Sequence, residues 1–490
     1  MPRLFLAAAA VFWVACSHGD EPARSSPGSG APHAKTAPSP SAPAGGGSGS
    51  ATTPPKPAPP PDPTPPVADD VPGGHDFTPT GRVLLAVGAC GDGPVPPEFG
   101  KDLVAQHCAV IKKTQAQYTA SWLDVAAPFF VKHVPATVPK KVVYPFAGGD
   151  LSTALTVYPD ADEITTMSLE PAGDPRTLEA LAQQRTPVPE VSKISKPSSK
   201  PMPVKSPAKP GKKRKSPAVG KGDTPERSDD GNTDEEPVVE EKGPPTLEKA
   251  LRTVEYELRF LYRVNFSNTI NMIDAMRGGL LPTQLIFGLS ALKVHGYEVV
   301  SLRYFKLDAE GVIKYLTDEE VKNEPNPTTA PADYRNRLFA NAEVRFKKPG
   351  GRVQIYRHIQ VNLDNDHLKK DMRVIRHLEA KGDVAGMTKA ASYLLSWDSF
   401  SIIRNYLIGH VQWMVSDATG VAPRWGKPKG FEYETYGAFK IPHIQAGNSI
   451  AKDWRDEFSA EPFRKLDFRF GYYDGTKAHT NHLVIMRKKT

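Results

Sequence analysis

The chain has 490 residues, a net charge of +7 and 39% hydrophobic residues, with 49 prolines and 39 glycines. So small a positive surplus over this length does not call for a nucleic-acid partner. The first apolar run, Leu4 to Val14, is well short of the about 20 residues that a membrane-spanning helix needs.

Arg3 precedes that run and the small residue Ala15 closes it, which is the order of a secretory signal. Cys16 follows at once, and "VAC" resembles the lipobox of bacterial lipoproteins. The resemblance implies that residues 1–16 are a signal peptide and that Cys16 is acylated as the new N-terminus. The membrane is then a partner through this anchor, and the protein faces the periplasm or the cell exterior. An ordinary signal peptide cut nearby is the alternative, because Trp13 stands where such boxes usually carry Leu.

Residues 17–80 are Pro, Ala, Ser and Gly in runs such as "PSPSAPAGGGSGS". Such a stretch cannot bury enough apolar surface to offset the entropy of ordering, so it reads as a disordered tether. Its reach lies between about 45 Å as a coil and about 190 Å fully extended. If Cys16 carries lipid, Cys90 and Cys108 remain as a possible disulfide pair. Two buried free thiols are the alternative, and without a CxxC pair no zinc centre is expected.

The first part of the folded domain, residues 81–185, opens with a strand-like "GRVLLAVGAC" and a helix through "KDLVAQHCAVIKKTQAQYTASWLDVAAPFF". Next, "KVVYPF" reads as a buried strand, "AGGD" as a tight turn, "LSTALTVY" as a helix and "EITTMSLE" as a second strand. Glycines at a strand-to-helix turn can turn backbone N–H groups toward a ligand. An acid after the second strand, here Glu170, commonly takes ribose hydroxyls in a Rossmann-like unit. Gly148, Gly149, Asp150 and Glu170 are therefore the candidate ligand-binding residues. In outline this resembles the first two motifs of S-adenosylmethionine-dependent methyltransferases. It departs from them in lacking a spaced G-x-G and in placing Pro145 before the turn. Structural readings compete at each position: Asp150 as a helix N-cap, the glycines as relief for a strained turn, and Glu170 as a solvated strand end.

Residues 186–245 are basic at first, including Lys212 to Lys215, and then acidic. This reads as a disordered insertion, with an anionic envelope polymer or a protein as a possible partner and no nucleic acid expected. The second part of the domain spans 246–490. Thr246 caps a helix whose face is Leu247, Leu251, Val254, Leu258 and Leu261. Another helix runs from Pro282 to Gly296. Two strands flank Asp308–Gly311, and a hairpin turns about Pro349–Gly351. A helical pair is expected from Val384 to Val415, and a final hairpin about Asp474–Gly475. The fold class is α/β, a three-layer sandwich with a mixed, Rossmann-like sheet and long disordered segments.

The chain also resembles a group of uncharacterised exported bacterial proteins. The motifs are Tyr144–Asp150, Leu169–Gly173, Ala391–Asn405 and Asp417–Gly420 with Tyr436-Gly437. That resemblance implies a fold and no known activity. The group often has paired acids where this chain has Asp417-Ala418. Asp364, Asp366 and His367 suggest a weak metal site or a turn in which Asp366 caps a helix; no metal is expected. His479 and His482 read as exposed loop residues, and most late aromatics as core. No cofactor is expected, since S-adenosylmethionine, NAD and ATP are cytoplasmic pools. Two classes of function follow: a tethered domain that binds a ligand or partner without catalysis, or an enzyme, either an envelope hydrolase or transferase using Asp150, Glu170 and Asp417 or a methyltransferase-like protein with a cleft around Asp150 and Glu170.

Overall fold

The computed structural model describes residues 73–183, 246–264, 281–327, 338–439, 449–471 and 481–489. The signal segment with Cys16, the tether up to residue 72, the insertion, the Asp474-Gly475 turn and His479 lie outside the described residues. The domain begins ahead of position 81. His75 N–H donates to Leu316 O, and Phe77 is buried beneath the helix Thr78–Val87.

Among the described residues ten strands form one sheet: β1 (Lys141–Pro145), β2 (Glu163–Ser168), β3 (Glu298–Leu307), β4 (Ile313–Tyr315), β5 (Asn341–Lys347), β6 (Gln354–Gln360), β7 (Val384–Thr388), β8 (Val411–Ser416), β9 (Phe431–Gly437) and β10 (His482–Lys488). Their order is β4-β3-β5-β6-β2-β1-β7-β8-β10-β9. The central five, β6-β2-β1-β7-β8, are parallel throughout. Counted by appearance in the chain they run 3-2-1-4-5, a doubly wound Rossmann-like order. The chain leaves β1 toward β2 and later returns on its other side as β7. The switch point therefore lies between β1 and β7. Antiparallel β5, β3 and β4 extend one edge, and antiparallel β10 sits between β8 and β9 at the other.

Period-two alternation sorts side chains into two cores, one on each face. Val142 and Tyr144 of β1 and Leu483 and Ile485 of β10 enter the first core, while Val143, Val484 and Met486 enter the second. The helices Lys101–Tyr118, Leu151–Val157, Leu247–Val264 and Thr283–Val294 cover the first face. Those at Arg373–Glu379, Ser401–His410 and Ser449–Ala460 cover the second. This is the expected three-layer sandwich. The face of Leu247–Val264 is as expected, with Leu251, Val254 and Leu258 buried and Thr246 Oγ1 accepting from Lys249 N–H. Cys90 and Cys108 form a disulfide that ties the loop after Thr78–Val87 to the helix Lys101–Tyr118.

Four local expectations are corrected. "GRVLLAVGAC" is the end of a helix, not a strand, because Leu84 and Val87 share a buried face and Pro79 starts the first turn. The helical pair from Val384 to Val415 is strand, two short 3₁₀ turns, one helix and strand. A short apolar run such as "VAGMT" has no periodicity that separates a buried parallel strand from a helix. "LDFRF" does alternate, with Leu466, Phe468 and Phe470 buried, but it packs on aromatic rings and joins no ladder. β10 pairs with β8 and β9 instead. Finally, Asp364, not Asp366, caps the helix Asn365–Lys370, accepting from His367 N–H at 2.8 Å.

Candidate functional site

In a doubly wound sheet, ligands bind beyond the carboxyl ends of the parallel strands, at the switch point. Asp150 follows β1, Glu170 follows β2, Lys389 follows β7 and Asp417 follows β8. The topology thus brings the three candidate acids to one edge of the sheet, together with a lysine that the sequence reading passed over.

Asp150 is closely held. Its carboxylate accepts from Thr153 N–H at 3.3 Å and Thr153 Oγ1 at 2.7 Å, which caps the helix Leu151–Val157. Tyr144 O–H donates to its other oxygen at 3.0 Å. The Lys389 ammonium forms an ion pair with that same oxygen and donates to Thr153 Oγ1 at 2.9 Å. The Lys389 side chain is 1% exposed, and the Phe470 ring lies 5.5 Å from its nitrogen. Burial pulls the Lys389 amine below its usual range, while Asp150 and then Asp417 oppose that shift. Burial likewise pushes the Tyr144 phenol far up, reinforced by the Asp150 charge.

Asp417 accepts from Ala390 N–H at 3.0 Å and Thr419 N–H at 2.9 Å, so it shapes the connection after β7 and its own turn. Ala390 and Phe146 have φ of 56° and 58°. These left-handed conformations cost about 1–3 kcal/mol each for non-glycine residues and cluster at functional sites. One stands at the end of β7 and the other at the end of β1.

The glycine turn faces protein instead of opening to a ligand. Gly148 has φ of +52°, which favours glycine. A Cβ at Gly149 would come within 2.1 Å of the Phe287 ring. Gly148 O accepts from Gln284 Nε2 at 2.7 Å, and Asp150 N–H is bonded to Ala147 O. Both glycines and Asp150 therefore have sufficient structural roles.

Glu170 differs. It is 0% exposed, and neither carboxylate oxygen has a hydrogen-bond partner. It is not a solvated strand end. Its carbonyl accepts from His358 Nε2 at 2.7 Å, while His358 Nδ1 faces Gln284 Nε2 and Thr166 Oγ1, each at 3.3 Å. The ring therefore carries its proton on Nε2 and accepts at Nδ1. Burial lowers its pKa to about 4, against the opposing pull of the Glu170 carbonyl. Gln284 Oε1 and Ser168 Oγ, near this cluster in the fold, are also buried without partners. A bare buried carboxylate costs several kcal/mol unless something completes it.

His482 is also buried, at 0% exposure, with both ring nitrogens unpartnered and the Phe439 and Phe458 rings edge-on to it. The expectation of an exposed loop histidine fails because His482 begins β10, between β8 and β9. Burial lowers its pKa, against the Asp417 charge. Among the described residues no group of three or more His, Cys, Asp or Glu could hold a metal ion.

No family model, curated protein or solved structure matches the chain.

Lys389, His358 and Gln284 were the residues that sequence reasoning missed. The signal for Lys389 was one charge directly after "VAGMT", readable only if that run is taken as a strand.

Proposed function

We propose that this is an exported, lipid-anchored domain that binds a small ligand bearing hydroxyl or amine groups at the carboxyl edge of its parallel strands. Glu170 is the principal acceptor. The observation that carries this reading is the Glu170 carboxylate, fully buried with both oxygens bare. Gln284 Oε1 supplies a further acceptor, so the complementary ligand brings donors. Asp150 and Asp417 are occupied by internal partners. One bare carboxylate does not make a two-carboxylate hydrolase, which weighs against the enzyme alternative.

A second reading has the same edge hold S-adenosylmethionine, with Glu170 on its ribose as the acid after β2 does in Rossmann-like units. Export favours the first reading, since that cofactor is a cytoplasmic pool. A thermal-shift series with N-acetylglucosamine, D-ribose, spermidine and S-adenosylmethionine tests both. A ligand at 100 times its Kd stabilises by about 2.7 kcal/mol. The expected result is a rise in Tm with a hydroxyl- or amine-bearing probe that Glu170→Gln abolishes. An equal rise in the variant removes Glu170 from the site. Mass spectrometry of the mature N-terminus tests the anchor: an acylated Cys16 is expected, and an unmodified Cys16 or a later start overturns it. Among the described residues no helix is long and apolar enough to cross a membrane.

A further inference from the structure

The loop between the helices Thr78–Val87 and Lys101–Tyr118 walls a cavity of about 640 Å³. That is the size of a small-molecule site, which typically pairs an apolar lining with a few charged groups. The floor is one stripe of the second helix. Lys101, Val104, Ala105, Cys108 and Lys112 line it, and their spacings of three, one, three and four residues put them on a single face. From Lys101 to Lys112 the stripe is about 16 Å long, with an exposed ammonium at each end and apolar side chains between. Val95, Pro96 and Pro97 line the opposite wall.

The wall is held in shape by the protein itself. The Cys90–Cys108 disulfide fixes its near end, where the Lys293 ammonium also donates to Cys90 O at 2.6 Å. Phe99, 0% exposed at the close of a 3₁₀ turn, fixes its far end. Between them Pro94, Pro96 and Pro97 restrict the backbone, so little ordering entropy remains to be lost on binding. Val95 keeps 38% of its surface exposed. A stiff loop thus presents an apolar side chain to the cavity, not to the core. The charges lining the cavity are Lys101, Lys112 and Asp92, one positive in sum. Lys293 stands behind the disulfide end: burial pulls its amine down, the Lys112 charge adds to that, and Asp92 opposes it. Counted with Lys293, the surplus is two positive charges, which suits an anionic head group.

We propose that this cavity is a second ligand site, for a linear amphiphile with an apolar chain and a carboxylate head. The chain lies along Val104 and Ala105, opposite Val95, and the head pairs with Lys101 or Lys112. Exposed ammonium groups contribute little affinity each and mainly set the charge preference, while the apolar contact supplies most of the binding. The disulfide is then part of the binding surface as well as a staple. The site shares no residue with the Glu170 edge and does not rest on that reading.

Isothermal titration calorimetry on the purified protein with sodium octanoate, octylammonium chloride and sodium acetate tests it. Octanoate should bind, octylammonium should bind about tenfold more weakly, and acetate, which lacks the chain, should give no binding heat. Val95→Asp and the double variant Lys101→Glu, Lys112→Glu change only exposed side chains, so both should fold as the parent does by circular dichroism. Each should weaken octanoate about tenfold. Three results overturn the site: no octanoate binding, equal affinity for octanoate and either of the other probes, or octanoate binding that neither variant changes.

Discussion

Asp150 and Glu170 are buried acids at the ends of two neighbouring parallel strands, and they have opposite fates. Asp150 has two hydroxyl donors, a backbone N–H and an ammonium. Glu170 has none on its carboxylate. The difference is one of partners, since burial is complete at both. An acid whose bonds are all internal is committed to structure, as a cap and as the counter-ion of Lys389. An acid left bare in the same layer is kept at a cost to stability, and that cost points to a ligand.

The largest expected effect comes from making Asp150 resemble Glu170. Lys389→Met leaves a buried carboxylate without its charge partner and should cost about 3–5 kcal/mol by urea denaturation. Adding Asp150→Asn should recover much of that loss; no recovery would mean that the pair is not the cause. The second effect is acid sensitivity on the Glu170 side. His358 titrates at about 4 when folded, below its ordinary 6.5. Its contribution is therefore complete above pH 6.5 and is lost as pH falls toward 4, by about 3 kcal/mol. His295, also lowered to about 4 by burial, adds to the same window. Glu163 is held below the usual carboxylate range by Lys381 and Arg357 despite its burial, and its contribution is lost only below about pH 4.5. His358→Asn should reduce the slope of the stability curve between pH 6.5 and 4 by its own share, leaving the share of His295 and His377 and the Glu163 limb below about pH 4.5. Third, Glu170→Leu should raise stability by about 1–2 kcal/mol in denaturant, since it removes two buried oxygens that have no partner. A loss of stability would mean that Glu170 already has a partner in solution. The smallest effect is Thr153→Val, which deletes one hydroxyl shared by Asp150 and Lys389 and should cost about 1 kcal/mol.

Local chemistry was legible wherever periodicity or turn residues spoke for themselves. The amphipathic face of Leu247–Val264, the hairpin between β5 and β6, the cap at Asp150 and the strand–turn–helix from β1 all follow from residue spacing. The β7–β8 region was misread because a strand buried on both faces has no alternation to detect. "LDFRF" was misread for the converse reason: alternation shows which side chains point inward, but not whether a ladder partner exists. Burial of His482 depends on β8, β9 and the Phe439 and Phe458 rings, all tens of residues away in the chain, and no local pattern encodes it.

By itself the sequence determined the α/β class, the layering and the two acids that end β1 and β2, because short-range sterics and solvent exposure act within a few residues. Only the tertiary structure decided which acid is spent and which is bare. Lys389 reaches Asp150 through the β1–β7 pairing, across 238 intervening positions of the chain, and the insertion of helix Thr283–Val294 fills the glycine turn with Phe287 and Gln284. Those are long-range contacts, chosen by how the layers pack, and they separate a turn that resembles a cofactor site but is filled by protein from the bare acid one strand away.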